Sequence, residues 1–400
     1  MWRVYTGDTR TGLIDAPIDI PSFSWEMSIG DSSLSTTAEK GRGEDSVQSI
    51  TVPWSALHCA DTPEARSEAL APSRRFILVC WDDGHNPSSP GVPWLWGAIG
   101  QRTDTWFDTS FSLDSMNSLL AGRILVREGK FGAAANHTTQ DDIHLEGLSY
   151  RGIAAYIIRM CTSQKPGGAL PIREQYVGEG GSRQKTYYGF NSQNNAASKL
   201  LTDLANLEHG PDMTFRPELV DDTHVALRFV AGSDADRFLA QDAQHTLWSF
   251  PGGGSLQNVQ VVHAGPIMRA YGSGAGQDEA QLCAFAEDLS LVTRGSDPWP
   301  LTEAAFSGAD DDAIGPLQSH TNAYLAANAK PIMQVAGDVD FADPGVPRPG
   351  QWWPGELVEW RVEGHPTIPD GRYMMRVMKM SGDHTTKVAL TFDVMADPVF

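Results

Sequence analysis

Apolar positions along this chain follow two periods. Period two dominates the beginning and the end, and a spacing of three to four appears in the middle. Near the beginning, Trp94-Leu95-Trp96-Gly97-Ala98-Ile99 precedes a polar turn and then Trp106-Phe107-Asp108-Thr109-Ser110-Phe111-Ser112-Leu113. Near the end, Tyr373-Met374-Met375-Arg376-Val377 precedes Ser381-Gly382-Asp383-His384 and then Val388-Ala389-Leu390-Thr391-Phe392. An apolar strand, a polar turn and an alternating strand predict a β-hairpin. One such hairpin at each end predicts two small β-barrels that bracket a mixed α/β middle.

Other segments fill in this outline. Phe23, Trp25, Met27 and Ile29 alternate as in a half-buried strand. Residues 76–81 are apolar throughout and predict a central strand. Leu148, Ile153, Tyr156, Ile157, Met160 and Cys161 recur at helical spacing. A second helix is expected over residues 195–208, with Leu200, Leu201, Leu204 and Leu207 on one face and Gly210-Pro211 as its stop. Residues 213–215 and 225–230 predict a strand pair. Short strands are expected at residues 259–262, 267–271 and 282–285. A third helix is expected from Pro316, which suits the first helical position, to Ala329, before Pro331. The expected fold class is multidomain and β-rich α+β, with one barrel at each end and two α+β domains between them.

Composition sharpens this picture. A chain of 400 residues exceeds one ordinary core. Twelve Trp, 39 Gly and 25 Pro suit short strands, many turns and large aromatic anchors, and suit a helical bundle poorly. The formal charge of −20 repels phosphate backbones and anionic lipids. It suits a soluble surface, or a duct that a polyanion must pass without sticking. Met1-Trp2-Arg3-Val4-Tyr5 reads as a strand with no apolar leader behind it. No apolar run approaches the roughly 20 residues of a membrane helix, so membrane insertion by this chain is not expected. The four cysteines, Cys59, Cys80, Cys161 and Cys283, show no metal or redox spacing. They read as reduced and mostly buried, with a Cys59–Cys80 pair as the minor alternative.

Candidate chemistry is sparse. Gly272-Ser273-Gly274 and Gly252-Gly253-Gly254-Ser255 match neither a nucleophile elbow nor a phosphate loop. Asp310-Asp311-Asp312 lacks the spacing of a calcium loop. His137 and His144 do not form a metal pair, and Asp82-Asp83-Gly84-His85 reads as a hairpin tip. No catalytic, cofactor-binding or metal-ligating residue is therefore assigned, and no cofactor is expected. The acidic residues are too many for a glycosidase pair to be picked out. Trp2, Trp25, Trp81, Trp94, Trp96 and Trp106 sit in strand patterns and read mostly as core or interface anchors.

The order of several motifs resembles minor tail proteins, the tail-hub or baseplate-hub proteins, of long-tailed phages of actinobacteria. The resemblance rests on Trp2-Arg3-Val4-Tyr5, Thr9-Arg10-Thr11-Gly12, residues 20–25 with Gly30, and residues 94–99. It continues through residues 178–190 with Arg183 and Tyr187-Tyr188-Gly189, and Pro211-Asp212-Met213-Thr214-Phe215-Arg216-Pro217. It closes on Pro354-Gly355-Glu356 and Gly371-Arg372-Tyr373-Met374-Met375-Arg376-Val377. It implies a first barrel over 1–135, an α+β domain over 136–255, a smaller one over 256–331 and a second barrel over 332–400. It also implies a homotrimeric ring at the distal end of the tail, assembled in the host cytoplasm. The implied neighbours are the distal tail ring protein, the tape-measure protein and tip or receptor-binding proteins, with DNA passing through unbound. Three chains with two similar barrels each would let a threefold object dock on a sixfold ring. In some relatives a wall-degrading domain follows the hub; Phe400 comes directly after the barrel hairpin, so none is expected here. A host-wall carbohydrate-binding or carbohydrate-degrading tail protein remains the alternative.

Overall fold

The computed structural model describes residues 1–20, 22–29, 32–35, 49–57, 61–82, 84, 89–207, 210–241, 243–307, 313–329 and 332–394. The chain is β-rich with few helices, and it divides into two units. One comprises Met1–Gln257, Asp338–His365 and Asp370–Thr391; the other comprises Asn258–Gly337, Pro366–Pro369 and Phe392–Phe400.

In the first unit, the apolar run becomes the strand Arg75–Trp81, buried from Phe76 onward. A strand buried on both faces needs a cover on each side. It lies inside a six-stranded sheet in the order Ile14–Pro17, Trp2–Asp8, Arg75–Trp81, Val92–Asp104, Asp108–Asp114, Ser49–Pro53. Phe76, Leu78 and Cys80 face a shared core with Ile153, Ile157, Leu200, Leu204 and Phe229. Trp81 points the other way and meets Trp2 and Phe341.

The α+β portion of that core forms as its periodicity predicts. The helix Tyr150–Cys161 buries Ile153, Ile157, Ile158 and Cys161. Ser149 caps it, its hydroxyl accepting from the Gly152 amide at 3.0 Å and satisfying one open N–H of the first turn. The helix Ala197–Ala205 presents Leu200, Leu201 and Leu204 to the same core. Met213–Asp221 and His224–Ala231 pair antiparallel, and Ile172–Arg173 adds to His224–Ala231 in parallel. Gly12 links this sheet to the first. Its φ is +77°, and a Cβ there would stand 2.0 Å from the Val225 carbonyl oxygen. That contact fits the hydrogen bond from the Val225 amide to the Gly12 carbonyl at 2.9 Å.

The strand Ser24–Ser28 does not join the six-stranded sheet next to it in sequence. It pairs antiparallel with residues 379–383 of the long strand Gly371–Asp383. The first half of that strand pairs with Leu357–Val362, which in turn pairs in parallel with His245–Ser249. Gly382 allows the close approach, since a Cβ there would lie 2.8 Å from the Trp25 ring.

Two boundaries differ from expectation. The first hairpin turns at residues 105–107, so Trp106 lies in the turn and is 94% exposed instead of anchoring a strand. Trp-Phe continues the apolar pattern equally well through a strand or a turn, which hid the tip. The third helix spans Ile314–Asn328, two residues earlier than Pro316 suggested. Proline fits the whole first turn, where no intrahelical N–H bond is lost.

In the second unit, Arg269–Ser273 is the centre of a three-stranded sheet, antiparallel to Cys283–Glu287 and parallel to Glu303–Ser307. The helix Ile314–Asn328 belongs to the same unit, and Ala270, Ala286 and Leu325 form a small core with Tyr324 and Ala329 packed on it.

Candidate functional site: an aromatic junction and two ion pairs

An aromatic cluster forms where the first and last segments of the chain meet within the first unit. Trp2 lies edge-on to Trp81 at 4.8 Å, to Trp25 at 6.1 Å and to Phe23 at 6.3 Å. Trp94 contacts Trp25 at 5.6 Å and Phe341 at 5.8 Å, and stacks on Trp353 at 4.9 Å. Edge-to-face and offset geometries are the favourable ones for such rings. The Trp2 indole donates to the Thr385 carbonyl at 2.8 Å, and the Trp25 indole donates to the Asp383 carbonyl at 3.2 Å. The amino-terminal tryptophans thus hold the turn of the far-end hairpin.

Three motif segments converge beside this cluster. Arg216 Nη1 donates to Glu356 Oε1 at 2.8 Å, and both side chains are 5% exposed. Trp353 lies under the Arg216 guanidinium at 5.6 Å. Burial pushes the Glu356 carboxyl above its ordinary value; the Arg216 charge opposes that without cancelling it. Arg376 pairs with Asp212 and stacks over Phe238 at 4.5 Å. Residues 211–217, 354–356 and 371–377 are therefore joined by two ion pairs. A third motif residue, Arg183, pairs with Asp234 at 3.2 Å and covers the Tyr150 ring.

The segments weighed for chemistry have structural places. Residues 250–253 make a tight turn, and the Ser255 hydroxyl accepts from the Trp248 amide at 2.9 Å. Gly272 lies in a strand where a Cβ would stand 2.3 Å from Thr321 Oγ1, so it admits the helix. His137 occupies a turn, whereas His144 lies on a strand with Nδ1 3.0 Å from Thr186 Oγ1. Asp82 pairs with Arg3 at 2.6 Å. Asp83, His85, Cys59 and Asp310-Asp311-Asp312 lie outside the described residues. Among the described residues, no group of three or more His, Cys, Asp or Glu is placed to hold a metal ion. No helix among them is long and apolar enough to cross a membrane.

Three aromatic pairs face outward: Trp106 with Phe107, Tyr188 stacked on Phe190 at 5.5 Å, and Tyr271 beside Phe285 at 5.4 Å. Sequence reasoning placed none of them on the surface. Polar neighbours, Thr105 and Asp108, hint at exposure of Trp106 and Phe107, whereas Phe285 lies between Ala284 and Ala286 with no such hint.

The described thiols differ sharply. Burial pushes Cys80 up to about 12 and Cys161 up to about 11, while Cys283 is exposed. At pH 8 a thiol with a pKa near 12 is thiolate in roughly one molecule in ten thousand. A thiol reagent at pH 8 is expected to modify Cys283 and spare Cys80 and Cys161 in the folded protein. Peptide mass spectrometry of the labelled chain reads this out, and equal labelling of Cys80 before unfolding would refute the buried assignment.

The fold is similar to that of the 43 kDa tail protein of prophage MuSo2 from Shewanella oneidensis. The TM-score is 0.52 at 10% identity, over 98% of this chain and 98% of that one. A tail protein from Neisseria meningitidis MC58 aligns at 9% identity with a TM-score of 0.46, over 98% of this chain and 96% of that one. The E. coli c3393 protein, a component of the type VI secretion system with structural similarity to T4 bacteriophage tail proteins gp27 and gp5, aligns at 11% identity with a TM-score of 0.44. That alignment spans 98% of this chain and 77% of the other. No protein-family model and no curated protein matches the sequence.

Proposed function

We propose that this chain is a structural hub protein at the distal end of the tail of a long-tailed actinobacterial phage. Three copies form a ring that adapts the sixfold tail tube to threefold tip components. The observation that carries this reading is the likeness in fold to the MuSo2 tail protein, which spans nearly the whole of both chains. The two β-barrels fall in 1–135 and 332–400, and the α+β domains in 136–255 and 256–331. Pairing of Ser24–Ser28 with residues 379–383, together with the Trp2 and Trp25 bonds to the far hairpin, favours the first and last segments acting as one body. Partners are the distal tail ring protein, the tape-measure protein and tip or receptor-binding proteins. DNA passes through an acidic or neutral duct without specific binding, as the charge of −20 favours. The role is not catalytic.

Native mass spectrometry of the purified protein tests the ring. The expected spectrum contains a three-chain species. Six-chain assemblies, or saturable release of sugar from host-wall glycans by the pure protein, would overturn the reading.

A further inference from the structure

The first unit has two apolar cores that make different demands on the chain. Among the described residues, the buried members of one run only from Phe76 to Ala231, and include Phe76, Ile153, Ile157, Leu204 and Phe229. Tyr5 and Ile14 pack against it from outside that stretch. Its strand partners lie close in sequence, as Arg75–Trp81 does to Val92–Asp104. The aromatic junction is the other core, and it needs segments from far along the chain. Trp2 and Trp94 both contact Phe341, and Trp94 stacks on Trp353.

The contacts that close the junction are few and long-range. Ser24–Ser28 pairs on one side with the nearby Ser32–Ser35 and on the other with residues 379–383. The Trp25 indole reaches the Asp383 carbonyl across 358 positions, and the Trp2 indole reaches that of Thr385 across 383. Lys379 Nζ pairs with Glu26 Oε2 at 2.6 Å on a half-exposed rim, where an ion pair adds little. Joining segments so far apart costs chain entropy before any contact repays it, so such pairings form slowly. Synthesis adds a delay. Asp383 follows Trp25 by 358 positions, roughly 20–70 s at about 5–20 residues per second. Until then one edge of Ser24–Ser28 has no strand from this hairpin to pair with.

We propose that residues 371–391 are a late clasp on a preformed body. The core over residues 76–231 forms first. The aromatic junction closes against it only when residues 379–383 pair with Ser24–Ser28. The same clasp opens ahead of global unfolding, as a cooperative unit of lower stability than the helical core. Opening bares the edge of Ser24–Ser28 together with Trp25 and Met27, which are 3% and 4% exposed when it is closed. An apolar strand edge of that kind is a template for pairing with another chain. The surface built on the junction therefore exists only in chains whose residues 371–391 have docked. The inference does not depend on the proposed role in a tail.

Pulse-labelled hydrogen exchange during refolding of the full-length protein, read by peptide mass spectrometry, tests it. Peptides covering residues 150–161 and 197–205 are expected to gain protection at least about tenfold sooner than those covering 24–28 and 379–383. The latter two should become protected together. Protection of all four in one phase overturns the clasp, as does protection of 24–28 before 379–383. A second variant reads the reverse direction. Gly382→Ala sets a methyl against the Trp25 ring, since a Cβ there lies 2.8 Å from it. A contact made after the rate-limiting step acts on unfolding alone, so unfolding should quicken at least about tenfold while the helical peptides gain protection at the wild-type rate. Slower protection of those peptides, or an unfolding rate equal to that of the wild type, overturns the proposal.

Discussion

Glu356→Ala is expected to lower the unfolding free energy by about 3–5 kcal/mol, because it takes a bonded carboxylate away from a buried guanidinium. Both partners are 5% exposed, so water cannot readily take the place of the lost carboxylate. Removing both charges is a different experiment. Arg216→Met/Glu356→Leu is expected to recover most of the loss, or to exceed the wild type by about 1–4 kcal/mol, since the desolvation of two ions is avoided. The raised carboxyl also sets a pH dependence. The fold holds the Glu356 proton more tightly than the unfolded chain does. Its contribution is therefore full below the ordinary value of 4.5 and is lost as pH rises through the raised folded value. The stability of the wild type relative to Glu356→Gln should fall over that interval. Urea unfolding at several pH values measures all three variants. A Glu356→Ala loss under about 1 kcal/mol would refute the buried pair.

Trp94→Ala carries the second large effect, also about 3–5 kcal/mol, the usual result of removing a large ring from a packed core. Trp94 is fully buried and touches Trp25, Phe341 and Trp353. Its indole N–H is buried without a hydrogen-bond partner among the described residues. Trp94→Phe should therefore be far milder, because it keeps a ring and removes an unsatisfied donor. Losses for Trp25→Ala and Trp94→Ala should not add, since the rings are in contact. Far-UV circular dichroism during urea unfolding reads these out independently of tryptophan fluorescence. Equal losses for Trp94→Ala and Trp94→Phe would show that the ring cluster does not carry the stability.

Local features were legible in the sequence wherever one periodicity had one outcome. Residues 76–81 had to be a central strand, and the helices at Tyr150–Cys161 and Ala197–Ala205 followed from their apolar faces. Partners far apart along the chain were not legible. Trp25 and Asp383 are 358 residues apart, and Arg216 and Glu356 are 140 apart. Alternation marks which face of a strand is apolar but not which sheet receives it. A buried Glu356 also looks no different in sequence from the many exposed acids of this chain. The resemblance did mark residues 211–217, 354–356 and 371–377 as motifs, yet only the fold shows them joined by ion pairs. Trp106 was hidden for the opposite reason, since an aromatic in a turn reads like one in a strand.

In the proposed role, copies of this chain form a structural ring at the distal end of a phage tail. A reconstruction of the virion tail tip, at a resolution that resolves strands, tests it most directly. Three copies of this chain are expected around the tail axis, each with its aromatic junction intact, enclosing a duct not lined by a ring of Lys and Arg at its narrowest point. Absence of the chain from the tail, or six copies or one copy around the axis, would contradict it.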